Sequence, residues 1–336
     1  MPSRHIVNDP DDLVAEALEG LALAHPDLVR VHFDPAYVVR ADGTRGKVAL
    51  VSGGGSGHEP LHTGFVGAGM LDAAVPGAVF ASPTAHQIRA AVTAADGGLG
   101  TLLVVKNYTG DVLNFSIAAE LAADDGIAVE TVLVDDDLAT ERPDGDGPGR
   151  RGTAAVVAVE KICGAAAERG ATLAEVAVLG RRVAGAARTM ALALEACTHP
   201  GRLRPSFEIA DDEVEFGVGI HGERGVGRRP RGPARELVAE LARPVVEALG
   251  LARGASVIAI VNGLGGTHGL ELSAAHRELT RLLDGLGITV VRSLVGPYVT
   301  ALDMKGMSIT LVRADDELLD LWDAPVRTPA LNWGGR

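Results

Sequence analysis

The stretch VALVSGGGSGHEP, residues 48–60, decides the fold class. Residues 48–51 form a short, wholly apolar run of the kind that fills a buried parallel strand. A glycine cluster follows at once. It is not a nucleotide loop: the closing Gly-Lys-Ser/Thr is absent, and the spacing does not fit Gly-x-Gly-x-x-Gly. Two readings stay open for these glycines. They make a tight turn, or they let the backbone approach a ligand and offer it free N–H groups. His58, inside the cluster, favours the second, and the carboxyl end of a strand is where such sheets bind ligands.

Working outward, residues 11–25 show the periodicity of an amphipathic helix, and residues 29–32 and 37–40 read as short strands. Downstream, helix patterns at 84–95 and 111–123 alternate with strand patterns at 102–105 and 128–134. A Pro/Asp/Gly loop at 141–149 reads as mobile. Helix patterns cover 152–169 and 173–194. This alternation predicts a parallel or mixed sheet flanked by helices.

The second half has another rhythm. Residues 206–209 and 215–220 are strand-like, and 225–232 is a Gly/Arg/Pro loop. Helices are expected at 233–249 and 272–286, and strands at 257–261, 289–291 and 309–312. The expectation is an α/β protein of two domains. Residues 1–185 form the first. Residues 186–336 form a smaller α+β domain, with a C-terminal tail packing back on the first.

Composition limits the function. The formal charge of -13 argues against nucleic-acid and membrane partners, which need clustered Lys and Arg. The acidic runs at 135–137, 211–213 and 315–317 read as solvated turns. The two cysteines, Cys163 and Cys197, form no disulfide framework, and no signal peptide or membrane-length apolar run is visible, so a cytoplasmic protein is expected. Basic residues are overwhelmingly arginine. Lys47, Lys161 and Lys305 read as lysines kept by drift, without a specific task, whereas Lys106 falls in a motif.

That motif is Lys106-Asn107-Tyr108-Thr109-Gly110-Asp111, directly after a strand. Asp111 is either a helix cap or a general base. A third stretch, Phe216-Gly217-Val218-Gly219-Ile220-His221-Gly222-Glu223, matches Gly-x-Gly-x-x-Gly, but a loop follows where a helix is needed, so the dinucleotide reading fails. His221 at a strand end is structural, or it is a nucleophile with room beside its glycines. Residues 261–268 read as a strand and a turn. No histidine or cysteine spacing suits a metal.

Together these stretches resemble the dihydroxyacetone kinase family, specifically its ketose-binding domain or subunit. The resemblance also uses Val134-Asp135-Asp136-Asp137, Gly149-Arg150-Arg151-Gly152, Leu321-Trp322-Asp323-Ala324-Pro325-Val326 and Thr328-Pro329-Ala330-Leu331-Asn332-Trp333. It implies a homodimer in which His221 bonds covalently to the ketose carbonyl as a hemiaminal. It implies that His58 and Asp111 bind the sugar and assist proton removal, and that Gly55, Ser56, Gly57 and Lys106 complete the substrate contacts. For His221 to attack it must be neutral, with Glu223 or a backbone carbonyl holding its other nitrogen. The chain ends soon after Trp333, where single-chain members continue into a nucleotide domain. This implies a separate kinase subunit that carries nucleotide and magnesium, supplied by a phosphotransferase-system protein or by ATP exchange. No cofactor is expected on this chain. Two alternatives accompany this reading: a dihydroxyacetone-sensing co-regulator of transcription, and a kinase subunit for a four-carbon ketose such as erythrulose.

Overall fold

A computed structural model describes residues 5–141 and 149–334. The loop expected over 141–149 lies almost wholly outside the described residues. The chain divides into two compact units. One comprises Asp11–Val134, Val156–Ala184 and Glu317–Arg336; the other comprises Met1–Pro10, Asp135–Ala155 and Gly185–Asp316. The sequence suggested two continuous domains meeting at residue 185, but each unit is assembled from separate segments. Asp136 shows why. Its carboxylate accepts hydrogen bonds from the N–H groups of Thr153 (2.6 Å) and Ala155 (3.0 Å), from the Thr153 hydroxyl (2.7 Å) and from the Thr189 hydroxyl. Residues 135–155 are thereby tied to the later part of the chain. The reading of residues 135–137 as a solvated turn is therefore wrong: Asp136 and Asp137 are 0% and 2% exposed.

The first unit contains α1 (Leu13–Ala24), β1 (Val29–Phe33), β2 (Ala36–Arg40), β3 (Ala49–Ser56), β4 (Ala73–Val79), α2 (Ala85–Ala95), β5 (Thr101–Lys106), α3 (Thr109–Asp124) and β6 (Val129–Val134). Helices α4 (Ala155–Glu168) and α5 (Leu173–Gly185) follow. The sheet order is β1-β2-β4-β3-β5-β6, with β4, β3, β5 and β6 parallel. Ala49, Val51, Val75, Leu103 and Val105 meet Ile88, Val92, Phe115 and Ala118 of α2 and α3 in one core. Thr84 and Gln87 cap α2 reciprocally, which satisfies two otherwise orphaned N–H groups. The glycines after Val51 do not turn. They extend β3 to Ser56, buried throughout.

In the second unit, β7 (Ala187–Glu195), β8 (Glu213–Phe216), β9 (Gly227–Pro230), α6 (Ala234–Ala248), β10 (Ser256–Gly263), α7 (Gly269–Leu286), β11 (Thr289–Gly296) and β12 (Lys305–Arg313) build a sheet in the order β11-β10-β12-β7-β8-β9. Only β10 and β11 are parallel. Val238, Leu241 and Val245 of α6, with Leu272, Leu279 and Leu283 of α7, cover Val257, Ala259, Ile309 and Leu311. Three expectations need correction here. The helix pattern at 173–194 breaks at Gly185, and its second half is the interior strand β7. The strand expected at 215–220 ends at Phe216, and residues 206–209 form none. The loop at 225–232 contains β9, paired antiparallel with β8.

Two of the lysines read as without a task are buried and paired. Lys47 bonds the Asp72 carboxylate at 2.6 Å, beside Arg40. Lys161 lies 5.6 Å and 5.3 Å from the rings of Trp322 and Trp333 and donates to the Ala324 carbonyl. Burial pushes its ammonium down to about 8.

Candidate functional site

In the first unit, parallel pairing places β3 beside β5, so the glycine cluster and Lys106 come together. Lys106 is 1% exposed. Its ammonium donates to the Gly53 carbonyl at 3.3 Å, meets His62 Nε2 at 2.8 Å and lies 4.0 Å from Asp111 Oδ2. The glycines make room for this. A Cβ on Gly54 would stand 2.5 Å from Lys106 Nζ, and one on Gly53 would stand 2.5 Å from the Val75 carbonyl oxygen.

Asp111 is not a cap. The N-cap of α3 is Tyr108, and Asp111 is the third helical residue. It is 3% exposed, and its Oδ1 has no hydrogen-bond partner among the described residues. An unsatisfied buried carboxylate oxygen costs free energy, and a ligand hydroxyl would recover it.

His58 is 1% exposed and stacks on Phe80, with centroids 5.0 Å apart. Phe80 takes a left-handed backbone, φ 57°, a strained choice for an aromatic residue. Of the other expected contacts, the Ser56 hydroxyl donates to the Gly77 carbonyl and the Gly57 N–H donates to Glu59. Gly55 lies against the backbone of Phe80 and Ala81, where a Cβ would clash. A small cleft is lined by Gly54, Gly55, Ser56, Glu59 and His62 among others.

Sequence reasoning missed His62 and Glu160. Glu160 Oε1 lies 2.6 Å from His62 Nδ1, so a buried row runs Lys106–His62–Glu160. Burial pushes Glu160 up to about 8, opposed by Lys106 and a hydrogen bond from Ser52. Burial and the neighbouring Lys106 hold His62 well below the usual imidazole range. A signal existed: Glu160-Lys161 is the one charged pair in the apolar run 154–167.

His221 belongs to the second unit, in the connection between β8 and β9. That connection is closed by the Val226 N–H donating to the Phe216 carbonyl, and it turns at Gly217 and Gly222, both with positive φ. His221 is partly exposed. The structure shows Glu223 on the main chain of His221, its Oε2 accepting the backbone N–H at 2.8 Å, whereas the sequence suggested its ring. Arg151 binds the other oxygen of Glu223. A Cβ on Gly219 would overlap that carboxylate, so a larger residue there would displace the Glu223 side chain. Among the described residues no group of His, Cys, Asp and Glu is arranged to hold a metal, and no helix is long and apolar enough to cross a membrane.

The Dak1 domain model matches residues 19–330, so the chain belongs to that family. It is 47% identical to the Escherichia coli protein named PEP-dependent dihydroxyacetone kinase, dihydroxyacetone-binding subunit DhaK, over 98% of this chain and 99% of the relative. It is 46% identical to the corresponding PTS-dependent subunit of Listeria innocua, over 97% and 99%. Among solved structures, the dihydroxyacetone kinase of C. freundii superposes with a TM-score of 0.87 at 36% identity, over 99% of this chain and 61% of that one. The dihydroxyacetone kinase operon co-activator DhaQ superposes with a TM-score of 0.89 at 31% identity, over 95% and 98%.

Proposed function

We propose that this Dak1-family chain is the dihydroxyacetone-binding subunit of a phosphotransferase-system-dependent dihydroxyacetone kinase. The observation that carries this reading is 47% identity, end to end, with a relative bearing that description. In this reading a neutral ring nitrogen of His221 adds to C2 of the ketose. The N–C2 bond forms, the carbonyl π bond breaks, and the ring N–H proton is passed to the new hydroxyl, giving a neutral hemiaminal. Glycerol has no carbonyl and is rejected. Asp111 then takes the proton of the terminal hydroxyl as that oxygen attacks a phosphoryl group, and His58 and Lys106 hold the sugar. Positioning is most of what phosphoryl transfer needs from a protein, and a covalent tether supplies it. Nucleotide and magnesium are carried by a partner subunit, and the ketose subunit works as a homodimer.

Native intact-mass measurement tests this. With dihydroxyacetone the chain should gain one whole ketose mass without loss of water. It should gain nothing with glycerol, and His221→Ala should gain nothing with either. An adduct that survives His221→Ala refutes the tether. Asp111→Asn should keep the adduct and lose ~10²–10⁴ in turnover in the reconstituted kinase.

The co-activator likeness favours a second reading, a ketose sensor without kinase activity. Buried Asp111, with an open oxygen, favours the kinase, because a sensor needs only the ligand-holding histidine. Turnover with a nucleotide-binding subunit separates the two.

A further inference from the structure

In the row Lys106–His62–Glu160 only Lys106 has a task in the reaction above, yet the whole row is costly to bury. Glu160 is 0% exposed, Lys106 1% and His62 5%. Burying such groups costs several kcal/mol per ion, and apolar side chains of similar volume would hold the interior at least as well. Two self-consistent hydrogen placements exist at these distances. In one, the Lys106 ammonium donates to His62 Nε2 (2.8 Å), and Nδ1–H donates to the Glu160 carboxylate (2.6 Å). In the other, a neutral Lys106 accepts from Nε2–H, and the Glu160 carboxylic acid donates to Nδ1. Between them one N–H bond breaks on Lys106 and one forms on Nε2, while Nδ1–H breaks and an O–H forms on Glu160. The row's total charge is unchanged.

We propose that Lys106, His62 and Glu160 form a buried proton relay, with His62 and Glu160 as positioning residues that set the charge of Lys106 beside Asp111. Resting on the reading of Lys106 and Asp111 as substrate-facing groups, it gives that site a tuning device. Burial biases both ends toward neutrality, lowering Lys106 and raising Glu160 to about 8. The Asp111 charge, 4.0 Å from Lys106, opposes this by favouring the ammonium. The Glu160 charge favours the ammonium as well, so both carboxylates act against burial on the placement of the proton. When Asp111 takes the substrate proton its charge vanishes, and the row's proton moves to Glu160. The other groups facing the row are few. His58 acts on His62 electrostatically, Glu59 shares the cleft with it, Ser52 Oγ lies 3.1 Å from Nδ1, and the Cys163 thiol is pushed up to about 12 by burial and stays protonated.

Glu160→Gln removes both the row's proton acceptor and a negative charge that favours the Lys106 ammonium, so burial drives Lys106 toward its neutral form. In the reconstituted kinase, the acidic limb of the kcat–pH profile should move to higher pH and its plateau should fall ~10-fold, with the KM for ketose near the wild-type value. Glu160→Asp should restore part of both. A purely structural role would lower the melting temperature without moving the limb, so Glu160→Gln with the wild-type limb and plateau overturns the relay. ¹⁵N chemical shifts of His62 give a test that needs no Glu160 variant. The ring should carry one proton, and its Nε2–H fraction should rise in Asp111→Asn. A doubly protonated ring, or an unchanged ratio, also overturns the proposal. If wild type with partner subunit shows no turnover, the proposed function fails and the NMR arm alone judges the relay.

Discussion

A hydrogen atom in place of a methyl group at position 54 decides where Lys106 can lie. The glycine run suggested close approach by a ligand, but its nearest neighbours are the chain's own: the Val75 carbonyl at Gly53, Lys106 Nζ at Gly54, and Phe80 and Ala81 at Gly55. Glycine in a sequence reports space, not its occupant. The two halves of the run should therefore fail differently. Gly54→Ala meets the end of a side chain, so it should fold normally, displace Lys106 and weaken ketose affinity ~10-fold, about one charge-assisted hydrogen bond. Gly53→Ala meets backbone that cannot move without shifting β4. It should cost about 1–3 kcal/mol of stability. Melting curves beside ketose titrations separate these outcomes. If Gly54→Ala lowers stability and leaves affinity alone, the contact is structural. His58, Lys106 and Asp111 were legible because each follows a strand. His62 and Glu160 were not, because a lone buried acid and a lone buried histidine reveal each other only when folding brings them together.

At the scale of elements, β7 shows where local pattern loses to tertiary context. Residues 187–195 are rich in Ala and Leu and continue a helical pattern, yet they pair with β12 from Ala187↔Val312 to Glu195↔Lys305 and with β8 at Leu192↔Phe216. Strand preference is largely a matter of fitting a half-buried pleated surface, which the sequence does not display. Asp136 fixes the entry to this strand through Thr189, whose hydroxyl also meets Thr310 of β12 at 2.7 Å. Asp136→Ala would leave the Thr153 and Ala155 N–H groups and the Thr153 hydroxyl without their partner in the interior, at a cost of about 3–5 kcal/mol. Urea denaturation measures this. A loss below ~1 kcal/mol would mean that water replaces the carboxylate and that other contacts carry the tie between 135–155 and β7.

For the whole molecule, the alternation of helix and strand revealed the α/β class and two sheets, but not which segments share a unit. Chain order cannot show that residues 135–155 leave the unit holding their sequence neighbours. The same segment makes stability depend on pH. Burial, with Asp136 beside it, raises the Asp137 carboxyl to about 7, and its Oδ2 has no hydrogen-bond partner among the described residues. The folded chain keeps a proton there that the unfolded chain releases above its ordinary value near ~4. Protons bound by the folded state exceed those bound by the unfolded state between the two values, so stability is fully present below ~4 and falls as pH rises toward 7. Above 7 the whole penalty, about 4 kcal/mol, is in force. Glu160, raised to about 8, adds a slope of the same sign, so the contribution of Asp137 needs its own variant. Asp137→Asn keeps the oxygen that accepts the Ala139 N–H and removes the titration. It should match wild type in urea melts near pH 4 and exceed it at pH 8. Parallel stability–pH curves for the two proteins would show that Asp137 ionises as freely in the fold as outside it, against the burial that places it there.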